Sequence, residues 1–211
     1  TEAFSSKFVR SIGANRTIKD SLVSTIGSTR PRSRISVTDL VSPMQAFHRW
    51  THPKIRPSPD RLQVMMSGTG FHETFGKLVS TEEYLEQLLE LDGIVGLVDI
   101  YEDIPVEVKT TSSIPSDIYK GRSSYFEQLA MYCAMARNDT GRLIVYQRQS
   151  DKQPSVLKVY EVVFSNLERI AEEMRARRDL FKNALENKDP SGLPQCEWLY
   201  RGCDYSKVCP C

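Results

Sequence analysis

The chain has 211 residues, enough for one substantial core or for one domain with appendages. With 40% hydrophobic and 26% charged residues its composition is that of an ordinary globular protein, and a net charge of +1 by itself says nothing about a polyanionic partner. No run of about eighteen apolar residues occurs, so no membrane span is expected, and without a basic-then-apolar leader pattern the chain reads as intracellular, hence cytoplasmic.

Charge is unevenly placed. Residues 1–37 carry seven Lys/Arg against two Asp/Glu, a local +5 that leaves −4 for the remainder. This Ser/Thr/Arg-rich stretch, with Ser28 to Arg34 its most linker-like part, reads as a basic arm. It suits either a solvated tail or a phosphate-tracking segment. From Thr38-Asp39-Leu40-Val41 through Met44, Phe47 and Trp50 the pattern predicts a short capped helix presenting aromatic residues to a core. His48 and His52 are then one turn apart, a metal-compatible spacing, although Pro53 ends the helix and polar surface is the simpler reading. Ser67-Gly68-Thr69-Gly70 reads as a close backbone approach or tight helix entry, with His72 on the first turns that follow. The Gly-Lys-Ser/Thr ending of a nucleotide loop is absent.

Glu82 to Leu91 is ambiguous between helix and strand. Gly96 to Lys109 is the most informative stretch. It reads as two β-rich strands with a turn near Asp103, in which residues whose numbers sum to about 206 lie opposite one another. Glu107 and Lys109, two apart, share a face, and Asp99 falls across from Glu107. Two close carboxylates are unfavourable unless a cation lies between them. Hard oxygen ligands suit Mg2+ or Mn2+, and metal-assisted phosphodiester hydrolysis is the matching chemistry. The same residues also suit a solvated face or a cross-strand ion pair.

After a Ser/Pro loop, Ser123 to Arg137 predicts a helix bearing Tyr125, Leu129, Tyr132 and Cys133 near one face, with Gln128 one turn before Tyr132. Two strands follow at Leu143 to Tyr146 and Val156 to Phe164. Then comes a helix opened by a Ser165/Glu168 capping box, whose outer face holds Arg169, Arg175, Arg177, Arg178 and Lys182. That face is either solvated or a DNA-backbone contact. Four of the five cysteines, Cys196, Cys203, Cys209 and Cys211, crowd into the last sixteen residues, a segment too short for a core of its own. Four thiolates suit an iron-sulfur cluster or a structural zinc ion, with local disulfides as the alternative.

Taken in order, Gly-Thr-x-x-His at 68–72, Gly-x-x-Asp at 96–99, Glu-x-Lys at 107–109, Gln-x-x-x-Tyr at 128–132 and the terminal cysteines resemble the RecB-like branch of the PD-(D/E)XK nucleases. They resemble especially the CRISPR-associated RecB-like exonucleases with an iron-sulfur cluster. The resemblance implies an α/β fold, a mixed central sheet flanked by helices with a cysteine-rich carboxyl-terminal region. It implies a basic arm over 1–37, a nuclease domain over 38–188 and a cluster tail over 189–211 packed on it. His72, Asp99, Glu107 and the backbone carbonyl of Val108 would hold Mg2+ or Mn2+. Lys109 would orient or deprotonate the attacking water, Gln128 and Tyr132 would position Lys109 and the DNA backbone, and Cys196, Cys203, Cys209 and Cys211 would bind the cluster. Relatives usually take one cluster cysteine from an amino-terminal Cys-Pro, where this chain has Ser42-Pro43.

The expected function is a metal-dependent DNA nuclease acting on single strands or ends, in recombination, repair or antiviral defence, alone, self-associated or within a DNA-processing complex. A non-catalytic nucleic-acid-binding protein that kept the fold, using the basic arm and the Arg-rich helix, is the alternative.

Overall fold

The structure is a computed structural model that describes residues 33–151, 153–196 and 203–209. It is built on a mixed six-stranded sheet flanked by helices, as expected. Strand β1 (Ile35–Ser36) leads into helices α1 (Val37–Val41) and α2 (Pro43–Thr51), and the long α3 (Pro59–Val79) follows. A single 3-10 turn (Glu82–Tyr84) opens the run β2 (Leu85–Leu91), β3 (Ile94–Tyr101) and β4 (Pro105–Thr111). The chain continues with α4 (Ile118–Gly121), α5 (Ser123–Ala136), β5 (Thr140–Gln147), β6 (Val156–Val163) and α6 (Leu167–Asn187).

In the sheet β3 is central. It pairs with β2 along one edge, and on the other with β1 in parallel at its start and with β4 in antiparallel at its end. Beyond β4 lie β5, parallel to it, and the antiparallel edge strand β6. The helix formers of residues 85–91 are thus overridden by pairing, because a strand there sets Leu89 and Leu91 against the main core.

The main core joins one face of the sheet to α1, α2, α5 and α6 through Leu40, Phe47, Val98, Tyr132 and Phe181. A smaller cluster on the other face packs Val106, Val108 and Ile144 beneath Phe71 and Phe75 of α3. Ile35 and Val37 are buried, so the core begins inside the stretch assigned to the basic arm. Residues 1–32 of that arm lie outside the described residues.

Several local expectations are corrected. The Ser67-Gly70 stretch is mid-helix rather than a helix entry, because α3 already starts at Pro59. Gly68 still serves a close approach, since a Cβ there would meet Thr110 Oγ1 of β4 at 3.3 Å. Helix α6 is capped by Asn166, not Ser165: its side-chain oxygen accepts the Arg169 amide at 3.0 Å. His48 is buried rather than at the surface, and neither of its ring nitrogens has a hydrogen-bond partner among the described residues. Three of the four arginines of α6 are committed within the chain. Arg175 pairs with Asp92 and Glu168, Arg177 with Glu127 and Glu173, and Arg178 with Asp179.

Candidate active site

The hairpin register is as read from the sequence: Ile100 pairs with Val106 and Tyr101 with Pro105, each summing to 206. The ladder stops there. Asp99 Oδ2 instead accepts the Val108 amide at 2.7 Å, so a side chain replaces the backbone where β3 and β4 part. In a strand the N–H and C=O of one residue point to the same edge. The Val108 carbonyl is therefore directed, like its amide, toward the Asp99 side of β4.

The same stretch of β3 changes layers. Val98 packs in the main core, while Ile100, two residues on, packs beneath α3. Opposite this change, between the pairs Leu85–Ile100 and Gln87–Val98, Glu86 adopts a left-handed φ of 49°, an uncommon conformation for a residue with a side chain. Asp99 is thereby turned toward α3, where the His72 Nδ1 lies 3.5 Å from its Oδ1. Stacking of Phe71 on Tyr146 of β5, with centroids 4.3 Å apart and rings nearly parallel, fixes the turn of α3 that carries His72.

Glu107 and Lys109 face the other layer, toward α5. The Lys109 Nζ is 2.5 Å from Glu107 Oε1, donates to Gln128 Oε1 at 2.8 Å and lies over the Tyr125 ring, 5.6 Å from its centroid. Gln128 in turn donates from Nε2 to the Tyr132 hydroxyl at 2.9 Å. Helical spacing accounts for this cradle: residues 125, 128 and 132 lie along one stripe of α5, which packs down on β3 and β4. Gly96 makes that packing possible, since a Cβ there would fall 2.8 Å from the Tyr132 ring.

Electrostatics single out the pair. Burial, with the nearby Asp99 charge, pushes the Glu107 carboxyl up to about 7 against the pull of Lys109. Burial acts to lower Lys109, but Glu107 and Asp99 outweigh it and hold the ammonium above its usual range. Burial and Glu107 raise the Tyr132 phenol, which stays neutral. The second carboxylate oxygen of Glu107, Oε2, is buried without a hydrogen-bond partner among the described residues. Such an atom costs about 1–3 kcal/mol unless something satisfies it.

A cavity of about 270 Å³ opens beside Asp99 and His72. Carboxylates of Glu73 and Glu86 stand at its sides, with Lys77 and an apolar floor that includes Leu85 and Ile100. The sequence reading placed Tyr125 on a helix face without a role at the site, and gave Glu73 and Glu86 none. Tyr125 was legible from its position three residues before Gln128, whereas Glu86 is brought opposite Asp99 only by the β2–β3 register.

Of the expected residues, then, His72, Asp99 and Val108 meet beside the cavity under α3, while Glu107, Lys109, Gln128 and Tyr132 meet under α5, and the charges of Asp99 and His72 still reach Glu107. The described residues do not present a finished metal cage: among them no three His, Cys, Asp or Glu groups stand together as a metal site, and the Glu107 carboxylate is turned to Lys109. The donor set nonetheless fits a hard divalent cation, with two carboxylates, an imidazole, a carbonyl aimed to the same side and one carboxylate oxygen left unpartnered.

The tail cysteines expected to bind a cluster are described in part. Cys196 and Cys203 are free thiols, but Cys209 is disulfide-bonded, and a disulfide sulfur is not a thiolate ligand. Cys211, the fourth of the expected cluster residues, lies outside the described residues. The described part of the tail touches the main body. Cys196 and Cys209 contact the main core, and Tyr205 lies parallel to His48 with centroids 6.1 Å apart.

No protein-family model matches the chain, and no curated protein sequence does. Among solved structures the chain is similar to SSO0001, with a TM-score of 0.62 and 17% identity over 92% of this chain and 96% of that one. That likeness shows a shared fold. Two weaker likenesses are to an alkaline exonuclease from Laribacter hongkongensis (TM-score 0.45, 14% identity, 74% of this chain and 91% of that one) and a phage-related exonuclease from Haemophilus somnus (0.45, 15%, 59% and 72%). Among the described residues no helix is long and apolar enough to cross a membrane.

Proposed function

We propose that the chain is a Mg2+- or Mn2+-dependent deoxyribonuclease of the PD-(D/E)XK type that hydrolyses phosphodiester bonds in single-stranded DNA or at DNA ends. The observation that carries the reading is the buried Glu107–Lys109 pair, with one Glu107 oxygen unpartnered, held beside Asp99 and His72. A structural ion pair has no use for that free oxygen, and Glu107 feels the charges of Asp99 and His72 as well as that of Lys109.

His72, Asp99, Glu107 and the Val108 carbonyl would hold the cation. Bound there, it supplies Lewis-acid polarisation of the phosphate and makes a water easier to deprotonate. The chain's own residues do the rest. Lys109 keeps its proton at Nζ and offers a charge-assisted hydrogen bond to a phosphoryl oxygen as negative charge develops. Gln128 holds the ammonium from one side and the Tyr125 ring from another, while neutral Tyr132 fixes the Gln128 amide. The RecB-like assignment rests on the order of the motifs along the chain, and service in recombination, repair or antiviral defence is part of the same reading. A DNA-binding role for α6 has no support from Arg175, Arg177 and Arg178, which are held by carboxylates.

End-labelled linear and circular single-stranded DNA, incubated with Mg2+ or Mn2+, test the reading. Digestion by wild type that is lost in Lys109→Ala supports it, and the circle separates endonuclease from exonuclease. Binding without any metal-dependent product in the wild type would refute it.

A further inference from the structure

The amino-terminal half of α3 is poorly held by the body of the protein. Before Gly68, Leu62 is buried, but residues 63–67 are all exposed, including Val64, Met65 and Met66 at 43% or more. Firm attachment comes in the second half, where Phe71 and Phe75 pack on the sheet. One attachment fixes a point on a rigid rod, whereas two fix its direction. A helix of 21 residues is about 31 Å long, so a second fastening near its start has a long lever.

Beside the buried Leu62, that fastening comes from the cysteine-rich tail. Asp204 Oδ1 accepts the Ser58 amide at the α3 cap at 3.3 Å, and Oδ2 pairs with Arg61 Nε at 3.0 Å. The Asp204 side chain is 10% exposed and that of Arg61 40%, so the carboxylate end of the pair is turned inward while the guanidinium end is open. It also places negative charge at a helix amino terminus, where the backbone dipole favours it. Its neighbours anchor the other side: Tyr205 lies against buried His48 of α2, and Cys209, whose amide donates to the Tyr205 carbonyl at 2.8 Å, packs on the main core.

We propose that Asp204 is a positioning residue through which the cysteine-rich tail fixes the direction of α3 and, with it, the placement of His72 against Asp99. The 3.5 Å separation of His72 Nδ1 and Asp99 Oδ1 is at the limit of a hydrogen bond, so a small swing of α3 about the Phe71–Tyr146 stack changes it. The tail thus serves the active site mechanically, without a residue of its own in it. The consequence for catalysis rests on the nuclease reading, but the fastening of α3 does not.

Amide hydrogen exchange on the full chain, compared for wild type, Asp204→Ala, Asp204→Glu and Arg61→Ala, tests the fastening. Mn2+ affinity by calorimetry and steady-state cleavage of single-stranded DNA test its reach to His72. Amides over residues 59–67 are expected to exchange about tenfold faster in Asp204→Ala, less so in Arg61→Ala, and near the wild-type rate in Asp204→Glu, with core strands unchanged. Mn2+ affinity is expected to fall about tenfold in Asp204→Ala, with kcat reduced and KM held, and to be restored in Asp204→Glu. Unchanged exchange over 59–67 would overturn the proposal. So would faster exchange with unaltered Mn2+ affinity and kcat, since the tail would then hold α3 without placing His72. A wild type that neither binds Mn2+ nor cleaves DNA would sink the nuclease reading, leaving the exchange rates to decide whether Asp204 fastens α3.

Discussion

The Val108 amide donates to the Asp99 carboxylate across 2.7 Å at the point where β3 and β4 have stopped pairing. Asp99 is therefore both a structural bridge between separating strands and a candidate ligand, and the two roles come apart by substitution. Asp99→Asn keeps an acceptor for the Val108 amide, whereas Asp99→Ala leaves that donor unsatisfied. Both variants should lose cleavage. Asp99→Ala alone should also lose about 1–3 kcal/mol of stability in urea denaturation.

Lys109 is held from three sides, by Glu107, Gln128 and the Tyr125 ring. Lys109→Ala should reduce kcat by about a hundredfold or more, by analogy with removal of one preorganised donor to developing charge. Tyr125→Phe keeps the ring face and should cleave near the wild-type rate, while Tyr125→Leu should be slower. Equal kcat for Phe and Leu at position 125 would remove the ring from the cradle.

Glu107 gives the metal-free protein a signed pH dependence. Its carboxyl is pushed up to about 7 from an ordinary 4.5, chiefly by burial, so the folded state binds this proton more tightly than the unfolded chain does. The associated stability is present below about pH 4.5, is lost as pH rises toward about 7 and does not change further above that, for a total on the order of 3 kcal/mol. Urea titrations at a series of pH values without metal should show this slope, and Glu107→Gln should flatten it. Mn2+ affinity should rise over the same interval, because a carboxylate must be deprotonated to bind.

A methyl group at position 96 has no room against the Tyr132 ring. Gly96→Ala should therefore cost about 1–3 kcal/mol of stability and loosen the Gln128–Tyr132 contact, seen as a lower melting temperature together with a reduced kcat.

Arg175→Ala and Arg177→Ala break ion pairs within the chain. Neither should change the salt dependence of DNA affinity, whereas loss of a phosphate contact would reduce that slope by about one.

What the sequence by itself determined is what depends on local spacing. Alternation along a strand puts Glu107 and Lys109 on one face, helical periodicity lines up Gln128 and Tyr132, and the turn near Asp103 gives the register that sums to 206. Each follows from bond geometry over a few residues. Tertiary structure alone decided the rest. Good helix formers at Leu85 to Leu91 became a strand because β3 offered a partner, and Ser67-Gly70 became mid-helix because α3 had already begun at Pro59. Glu86 is set opposite Asp99 by strand pairing, Asp204 reaches Ser58 and Arg61, and Asp92 and Glu127 claim Arg175 and Arg177 of α6, all through contacts between separate elements of the fold. Such contacts leave no periodic trace in a sequence, since they depend on which surfaces the folded core brings together.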